Sequence, residues 1–275
     1  MYAKAYVEIT NICNMHCSFC HGHRRSPRRM TEAEFQRVLQ QLEGKTGYIY
    51  YHLMGEPLTH PDLPVFLQMA AEKGLRSIIT TNGTLLRKRG EEILAAGLHK
   101  VSVSLHSFEE ADEQGFEDYL EQVAAFADLA GEAGVLVSLR LWNRGHDGGR
   151  NDHALAFLRR RLAGEWTENS KGYRIRNKLY LEFGDRFAWP DMEAEDRGSQ
   201  VFCYGLKDQF GILCDGTVVP CCLDSEGTIA LGNVFTEELS DILSSPRAAA
   251  MARGFACRQA TEELCRRCGY AGRFG

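Results

Sequence analysis

The cysteines of this 275-residue chain fall into two groups. There are ten in all, and three of them, Cys13, Cys17 and Cys20, form a CxxxCxxC pattern near the N-terminus. The other seven lie between Cys203 and Cys268, after a long body without cysteine. Clustered thiols in a reducing compartment usually bind metal or take part in chemistry, because disulfides are not maintained there. The distribution therefore predicts two separate thiol-based sites.

The CxxxCxxC segment follows a short β-rich run and leads into His21-Gly22-His23. Three thiolates this close together can bind three irons of a [4Fe–4S] cluster and leave the fourth iron open to another ligand. A zinc site would instead recruit a fourth protein ligand, and either His21 or His23 would serve. The cysteines alone leave both interpretations open.

The long body alternates β-rich runs with helical patterns. Six runs read as strands: Tyr6–Ile9, Tyr48–Leu53, Ser77–Thr80, Val101–Leu105, Leu136–Leu141 and Lys178–Phe183. Helices are predicted between them: Thr31 through Gln41, opened by a Thr31–Glu34 capping box, then Leu63–Glu72, Arg87–Ala96, Leu120–Ala130 and His153–Leu162. Six such units predict an α/β fold, a partial (β/α)6 TIM-like barrel, with function at the carboxyl ends of its strands.

Composition narrows the class and the compartment. Apolar residues make up 44% and charged residues 25%, as in soluble enzymes, and the net charge of −5 provides no global basic field for binding duplex nucleic acid. The N-terminus lacks the apolar core of a signal peptide, and no apolar stretch of about 18 residues follows it. We therefore expect a cytoplasmic protein without a membrane partner.

The segment Cys13-Asn-Met-His-Cys17-Ser-Phe19-Cys20, placed after the first strand, resembles the signature of the radical S-adenosylmethionine (SAM) superfamily. The resemblance continues through Met54-Gly-Glu-Pro57, which is similar to the family's Gly-Gly-Glu-Pro element with Met54 in place of the first glycine. It implies a [4Fe–4S] cluster that binds SAM through its open iron, and a 5′-deoxyadenosyl radical that takes hydrogen from a substrate. The matched positions that it implies as cofactor contacts are Phe19, Met54, Gly55, Glu56, Ser104 and Arg140.

The second cysteine group resembles the Twitch domain, a shortened relative of the SPASM domain, in which a β-hairpin and a helix carry one auxiliary [4Fe–4S] cluster. Asp215-Gly216 predicts the hairpin turn. The resemblance implies four ligands: Cys203, Cys221, Cys265 and Cys268. Cys214 and Cys222 are interpreted as small buried apolar residues, whereas Cys257 is a possible alternative ligand. Zinc held by Cys221, Cys265 and Cys268 also stays open.

The domain prediction follows from these motifs: a radical SAM barrel over residues 1–183, an acidic linker over 184–200, and a Twitch-like domain over 201–275. The cluster loop begins early in the chain, so we expect no leader-peptide module and a small-molecule substrate. A loop with four arginines, at positions Arg24, Arg25, Arg28 and Arg29, suggests that the substrate carries phosphate, as in a phosphorylated sugar, cyclitol or nucleoside. The same loop would equally suit docking of an acidic flavodoxin or ferredoxin as electron donor.

Three functions remain in competition on the sequence. The first is a radical SAM oxidoreductase or lyase that acts on a polar small molecule. The second is radical modification of a ribosomally made peptide. The third is a non-catalytic module that binds zinc or a cluster, which leaves the Met54–Pro57 element without a role.

Overall fold

The structure, a computed structural model, describes residues 1–109 and 112–274. Its strands are β1 (Lys4–Val7), β2 (Tyr48–Tyr50), β3 (Arg76–Thr81), β4 (Leu98–Ser104), β5 (Leu136–Leu141), β6 (Thr167–Asn169), β7 (Gly172–Arg176), β8 (Leu179–Phe183), β9 (Gln209–Ile212), β10 (Thr217–Val219) and β11 (Gly232–Asn233). Its α-helices are α1 (Glu32–Leu42), α2 (Leu63–Glu72), α3 (Leu86–Ala95), α4 (Glu113–Glu132), α5 (Arg150–Arg161), α6 (Leu239–Ser244), α7 (Pro246–Ala256) and α8 (Glu263–Arg266). Short 3-10 turns span Pro57–Thr59, Leu105–Ser107 and Ala271–Phe274.

These strands form one mixed sheet in the order β11-β10-β9-β1-β2-β3-β4-β5-β8-β7-β6. Every neighbouring pair from β9 through β1 to β8 is parallel, and the pairs at both ends are antiparallel. The six predicted strands are thus the parallel centre of the sheet, which confirms the mixed α/β class and the partial barrel.

The helices cover the outer face of the parallel strands, as βαβ connections require. Helix α1 begins with the predicted capping box, since the Thr31 side chain accepts from the Glu34 amide while the Glu34 side chain accepts from the Thr31 amide. Helix α2 has the predicted bounds. The apolar side chains of the strands face these helices, and the polar side chains between them face the interior of the barrel.

Two features of the sheet were not predicted. The hairpin of β6 and β7 extends the sheet beyond β8. Strand β6 is polar and exposed, and in β7 only Ile175 is fully buried, so the apolar alternation is too short to identify a strand. Strand β9, from the second cysteine region, pairs in parallel with β1 through contacts such as Ala5 with Phe210. The sheet is therefore continuous from the barrel into the C-terminal region.

Within residues 1–109 and 112–274, no helix is long and apolar enough to cross a membrane.

Candidate active site: two thiol groups and a polar barrel interior

The first three thiols lie in the loop that follows β1, at the carboxyl end of the barrel. The Cys20 amide donates to the Cys17 carbonyl at 3.1 Å, and the Met15 amide donates to Cys13 Sγ at 3.4 Å. Burial, with a smaller contribution from the nearby Cys20 and Cys13 thiols, raises the pKa of Cys17 to about 11. The sequence-predicted cluster ligands are thus brought together, close enough to interact electrostatically.

Contacts with two other strand-end loops fix this thiol loop. Glu109 accepts hydrogen bonds from the Ser18 amide at 2.6 Å and the Ser18 hydroxyl at 2.7 Å. The ring of Phe19 lies 4.9 Å from the ring of His106, and the Trp189 indole N–H donates to the Phe19 carbonyl at 3.2 Å. The aromatic residue before the third cysteine therefore anchors the loop rather than pointing freely into solvent.

The Met54–Pro57 segment presses directly against the thiol loop. Gly55 has φ of +75°, and a Cβ at this position would lie 2.3 Å from the Thr10 carbonyl oxygen. Only glycine combines that backbone conformation with so close an approach. The Glu56 amide donates to the Ile12 carbonyl at 3.0 Å, which joins the two segments one residue before the first cysteine.

Glu56 is a buried acid at the centre of this junction, with 2% of its surface exposed. Its two carboxylate oxygens accept from the Leu58 amide at 3.0 Å and the Asn82 amide at 2.7 Å. Burial raises the pKa of Glu56 to about 7, and these backbone hydrogen bonds oppose the rise. A buried carboxyl in this state suits an ammonium group, whose positive charge would stabilise the ionised form.

A polar row crosses the carboxyl ends of three adjacent strands, where Ser104 pairs with Arg140 and Arg140 pairs with Glu182. The Arg140 guanidinium lies over the Trp142 ring at 4.6 Å, and its Nε is 3.9 Å from the Glu182 carboxylate. Burial lowers the pKa of Arg140. Its Nε is buried and has no hydrogen-bond partner in the described part of the chain, so it remains available to a carboxylate ligand.

The second thiol group combines distant parts of the C-terminal region. One cavity is lined by the four predicted ligands Cys203, Cys221, Cys265 and Cys268. Burial raises the pKa of Cys221 well above its usual range, and repulsion from Cys222, Cys203 and Cys265 adds to the rise. Sequence reasoning therefore selected four cysteines that share one cavity.

The other three cysteines of this region do not line that cavity, although half-buried Cys222 lies next to Cys221. Cys214 is 1% exposed, with Arg25 Nη1 at 3.7 Å from its sulfur, and Cys222 forms a hydrogen bond with the Tyr6 hydroxyl. Cys257 is exposed at the end of α7. Among the described residues all ten cysteines are free thiols.

The chemistry of both thiol groups suits iron. Among residues 1–109 and 112–274, no three His, Cys, Asp or Glu side chains are close enough to hold a single ion. The thiols nevertheless interact, and burial and repulsion raise the pKa of Cys17, Cys203 and Cys265. Iron bound to such thiols would compensate for both effects, because a coordinating thiol is deprotonated and its charge is neutralised by the metal.

Two of the four arginines predicted to bind substrate have internal partners. Arg25 forms two hydrogen bonds of 2.8 Å with Glu8, a fully buried acid that sequence reasoning missed. Arg28 pairs with Glu34 of α1. The remaining two are exposed: Arg24 and Arg29. A charged residue in the otherwise apolar run around β1 was the signal that would have revealed Glu8.

A second cavity lies beside the four-thiol group, at the amino end of β1. This cavity of about 270 Å³ reaches from Lys4 and Tyr6 of β1 to Cys222, Tyr270 and three predicted ligands, Cys203, Cys221 and Cys268. Tyr270 also interacts electrostatically with Arg140. His52 lies beside Tyr6, and burial together with nearby Arg140 and Lys4 lowers the pKa of His52 to about 3, so its imidazole is neutral at pH 7.

A parallel barrel with a thiol loop at its mouth and a second thiol cavity beside it defines an iron–sulfur barrel protein. The family model described as the radical SAM superfamily matches residues 7–143, and the model described as an iron-sulfur cluster-binding domain (SPASM) matches residues 203–269. The chain belongs to the radical SAM superfamily and has a C-terminal SPASM/Twitch-type cluster domain. The two domains imply three cofactors: a SAM-binding [4Fe–4S] cluster, an auxiliary iron–sulfur cluster and SAM.

The names of the proteins that this chain resembles refer to different ligands. A curated relative, Fe-coproporphyrin III synthase from Methanosarcina barkeri, is 29% identical over 144 residues, which are 48% of this chain and 35% of that protein. The crystal structure of BtrN in complex with AdoMet and 2-DOIA matches with a TM-score of 0.64 and 20% identity, over 98% of this chain and 93% of that one. Streptococcus suis SuiB bound to precursor peptide SuiA matches with a TM-score of 0.54 and 17% identity, over 98% and 71%. The chain thus spans about a third of the curated relative, and the structural matches establish the fold alone.

Proposed function

We propose that this enzyme cleaves SAM reductively and abstracts a hydrogen atom from a polar small molecule, which is then oxidised or cleaved. When bound, the reduced SAM-binding cluster supplies the electron that breaks the sulfonium S–C5′ bond. The observation that carries the proposal is the position of Glu56, a buried carboxyl whose own backbone amide joins it to the three-thiol loop at the Ile12 carbonyl.

The chain's own residues would bind and orient SAM. In this proposal Cys13, Cys17 and Cys20 ligate the cluster, and Glu56 accepts from the amino group of the methionine part. Arg140, whose Nε has no hydrogen-bond partner among the described residues, binds the methionine carboxylate, because a guanidinium is the side chain best shaped for that group. Ser104 neighbours Arg140 on the adjacent strand and would bind the ribose. The aromatic contacts of Phe19 hold the loop in place.

The barrel interior favours a small molecule over a peptide. Tyr270 and Ala271, near the C-terminal turn, line one cavity together with Cys222. The volume of this cavity, about 270 Å³, is near the lower end of the usual range for small-molecule sites. Radical modification of a peptide is the second candidate, and the fold shared with SuiB bound to SuiA supports it.

An external reductant is part of this proposal, since the chemistry consumes an electron from outside. We propose a flavodoxin or ferredoxin that approaches the thiol loop, where Cys13 and Cys20 are exposed. Ten free thiols suit a reducing compartment, and we therefore place the enzyme in the cytoplasm.

The test measures iron and zinc per chain after anaerobic reconstitution, the change of the cluster EPR signal on adding SAM, and the release of 5′-deoxyadenosine. We expect about eight irons, as two four-iron clusters require, and a SAM-dependent EPR change. Cys13→Ala should abolish 5′-deoxyadenosine formation. Cys257→Ala, at an exposed cysteine outside both groups, is the matched control and should retain it.

Other outcomes would redirect the assignment. Retained 5′-deoxyadenosine formation in Cys13→Ala contradicts the mechanism. About four irons with one zinc would make the C-terminal site structural, and the proposed involvement of a second cluster in the chemistry would be wrong. No SAM-dependent EPR change would return the chain to the non-catalytic alternative.

A further inference from the structure

A strap that contains neither helix nor strand, residues 185–197, contacts both thiol groups. On one side it meets the three-thiol loop. The Trp189 indole N–H donates to the Phe19 carbonyl at 3.2 Å, and the Trp189 ring lies 6.1 Å from the ring of His21, with an angle of 19° between the two planes. Phe19 and His21 are the neighbours of Cys20 in the chain, so the strap holds the loop on either side of its third thiol.

A second contact on the same side involves Arg186. Its guanidinium lies over the Phe19 ring at 5.6 Å and pairs with the Glu109 carboxylate at 3.3 Å. The same carboxylate accepts the two hydrogen bonds from Ser18. The strap is therefore tied to the two residues that precede the third thiol, through a ring contact and a shared acid.

The other side of the strap is held by the CxxC segment of the auxiliary thiol group. Both residues between the two cysteines of this segment bind the strap. The Arg267 guanidinium donates to the Ala194 carbonyl, and the Arg266 carbonyl accepts from the Arg197 amide at 2.9 Å. The CxxC segment is thus attached to the strap by its backbone as well as by a side chain.

The packing is closest just after the last auxiliary thiol. A Cβ on Gly269 would lie 2.7 Å from the Cβ and from the carbonyl oxygen of Ala188, so no side chain fits between the two segments. The Phe187 ring lies 4.9 Å from the ring of Tyr270 and 5.4 Å from that of Trp189. The residues that contact the auxiliary segment therefore directly precede the indole that holds the three-thiol loop.

The auxiliary segment has little order of its own. Helix α8, which carries Cys265, has four residues, too few for a helix to be stable without tertiary contacts. A cluster bound by the four thiols would order this segment, because metal binding contributes folding free energy where the ligands are not already fixed. That order would extend to the strap, and through the strap to the three-thiol loop.

We infer that the strap couples the two sites: Trp189 positions the three-thiol loop for SAM, and a loaded auxiliary site fixes Trp189. SAM binding and cluster binding at the auxiliary thiols then strengthen each other by the same factor, since linkage between two sites is reciprocal. The inference rests on the proposed function in that SAM binds at the three-thiol loop. Trp189 is a positioning residue, because it acts through the loop.

The experiment measures the Kd of SAM by calorimetry on anaerobically reconstituted enzyme, with iron counted in each preparation. Cys265→Ala, which removes an auxiliary ligand, should weaken SAM binding about tenfold, within the usual range of coupling between two sites. Trp189→Phe removes the donor and keeps an aromatic ring. It should weaken SAM binding about fivefold, as loss of one hydrogen bond predicts, while iron stays at about eight per chain.

The matched control is Trp166→Phe. The Trp166 indole N–H also donates to a backbone carbonyl, that of Leu162, at the same distance of 3.2 Å. It lies before β6, on the far edge of the sheet from β9 and the auxiliary segment. This variant should leave the Kd of SAM unchanged.

Two further variants separate coupling from general damage. When Cys265→Ala is already present, Trp189→Phe should weaken SAM binding less than twofold further, because the strap has lost its anchor. Phe187→Leu removes the ring contact with Tyr270 and so loosens the strap from the auxiliary side. It should weaken SAM binding about threefold. If Trp189→Phe also loses iron, the result for Phe187→Leu decides.

The outcomes distinguish this inference from the proposed function. Equal Kd values for SAM in the wild-type enzyme, Cys265→Ala and Phe187→Leu overturn the inference and leave the proposed function standing. A fivefold effect of Trp189→Phe both with and without Cys265→Ala also overturns it, because independent sites give additive free energies. Absence of SAM binding to the wild-type enzyme overturns both.

Discussion

The buried ion pair between Glu8 and Arg25 is the contact whose loss should destabilise the molecule most clearly. Glu8 is fully buried, the Arg25 side chain is 13% exposed, and both guanidinium–carboxylate distances are 2.8 Å. The carboxylate also accepts from the Met54 amide at 3.0 Å and the Cys214 amide at 3.2 Å. Arg25→Met would leave a buried negative charge with only those two backbone donors.

The size of the effect follows from these contacts. Removing one partner of a buried pair costs about 3–5 kcal/mol, and the two remaining N–H donors favour the lower value, about 3 kcal/mol. For a chain of this size that loss corresponds to a fall in Tm of roughly 6–12 °C. In the double variant Glu8→Gln with Arg25→Met the residual charge is absent, so we expect about half of the loss to be recovered.

The assay is thermal unfolding of the reconstituted protein under anaerobic conditions, followed by circular dichroism. Arg144→Met is the matched control, because Arg144 pairs at 3.9 Å with Asp185 and both side chains are more than half exposed. Such a surface pair is worth about 0–1 kcal/mol. A Tm for Arg25→Met within about 2 °C of the control would refute the reasoning, and so would a double variant less stable than Arg25→Met.

Three further predictions concern the two cofactor sites. The pKa of Glu56 is raised to about 7 by burial, so between about pH 4.5 and 7 the folded state keeps a proton that the unfolded state has lost. The free energy of unfolding should therefore fall as pH rises from about 4.5 to 7. Unfolding measured across this range should lose that slope in Glu56→Gln. Gly55→Ala places a Cβ 2.3 Å from the Thr10 oxygen at φ of +75°, and should lower iron content from about eight to about four per chain by disrupting the thiol loop; unchanged iron would contradict this. Cys265→Ala should spare uncoupled SAM cleavage while product formation falls, and normal turnover in that variant would exclude the auxiliary site from the chemistry.

Local patterns predicted the elements of the barrel well. The capping box at Thr31 and Glu34 and the apolar spacing of α2 depend on neighbours within a few residues, and both helices begin where the sequence indicates. The parallel strands could be predicted because the alternation of side chains between the helix-facing and the interior face of a strand involves only neighbouring residues. Where the prediction of β2 extended to Leu53, the structure ends the strand at Tyr50, since the chain there already turns toward the Met54–Pro57 segment.

Contacts between distant segments could not be predicted in this way. The family resemblance implied Glu56 and Arg140, but only the structure shows that Glu56 is held by the Asn82 amide and that Arg140 Nε has no hydrogen-bond partner among the described residues. The arginine-rich loop suggested a ligand site because the sequence does not show which arginines are exposed and which are paired inside the protein. The partner of Arg25 precedes it by 17 residues, on another element.

Glu8 explains why the two cofactor regions form one structure. It directly follows β1, and its backbone amide donates to the Ile212 carbonyl at 2.9 Å, so the parallel pairing of β1 with β9 continues past the end of β1. Its side chain then joins Arg25 of the thiol loop, Met54 of the glycine-containing segment and Cys214 of the hairpin. Without the hairpin this carboxylate would lose a backbone donor and its cover. The C-terminal region therefore contributes to the shape of the N-terminal site through protein contacts alone, independently of any cluster that it binds.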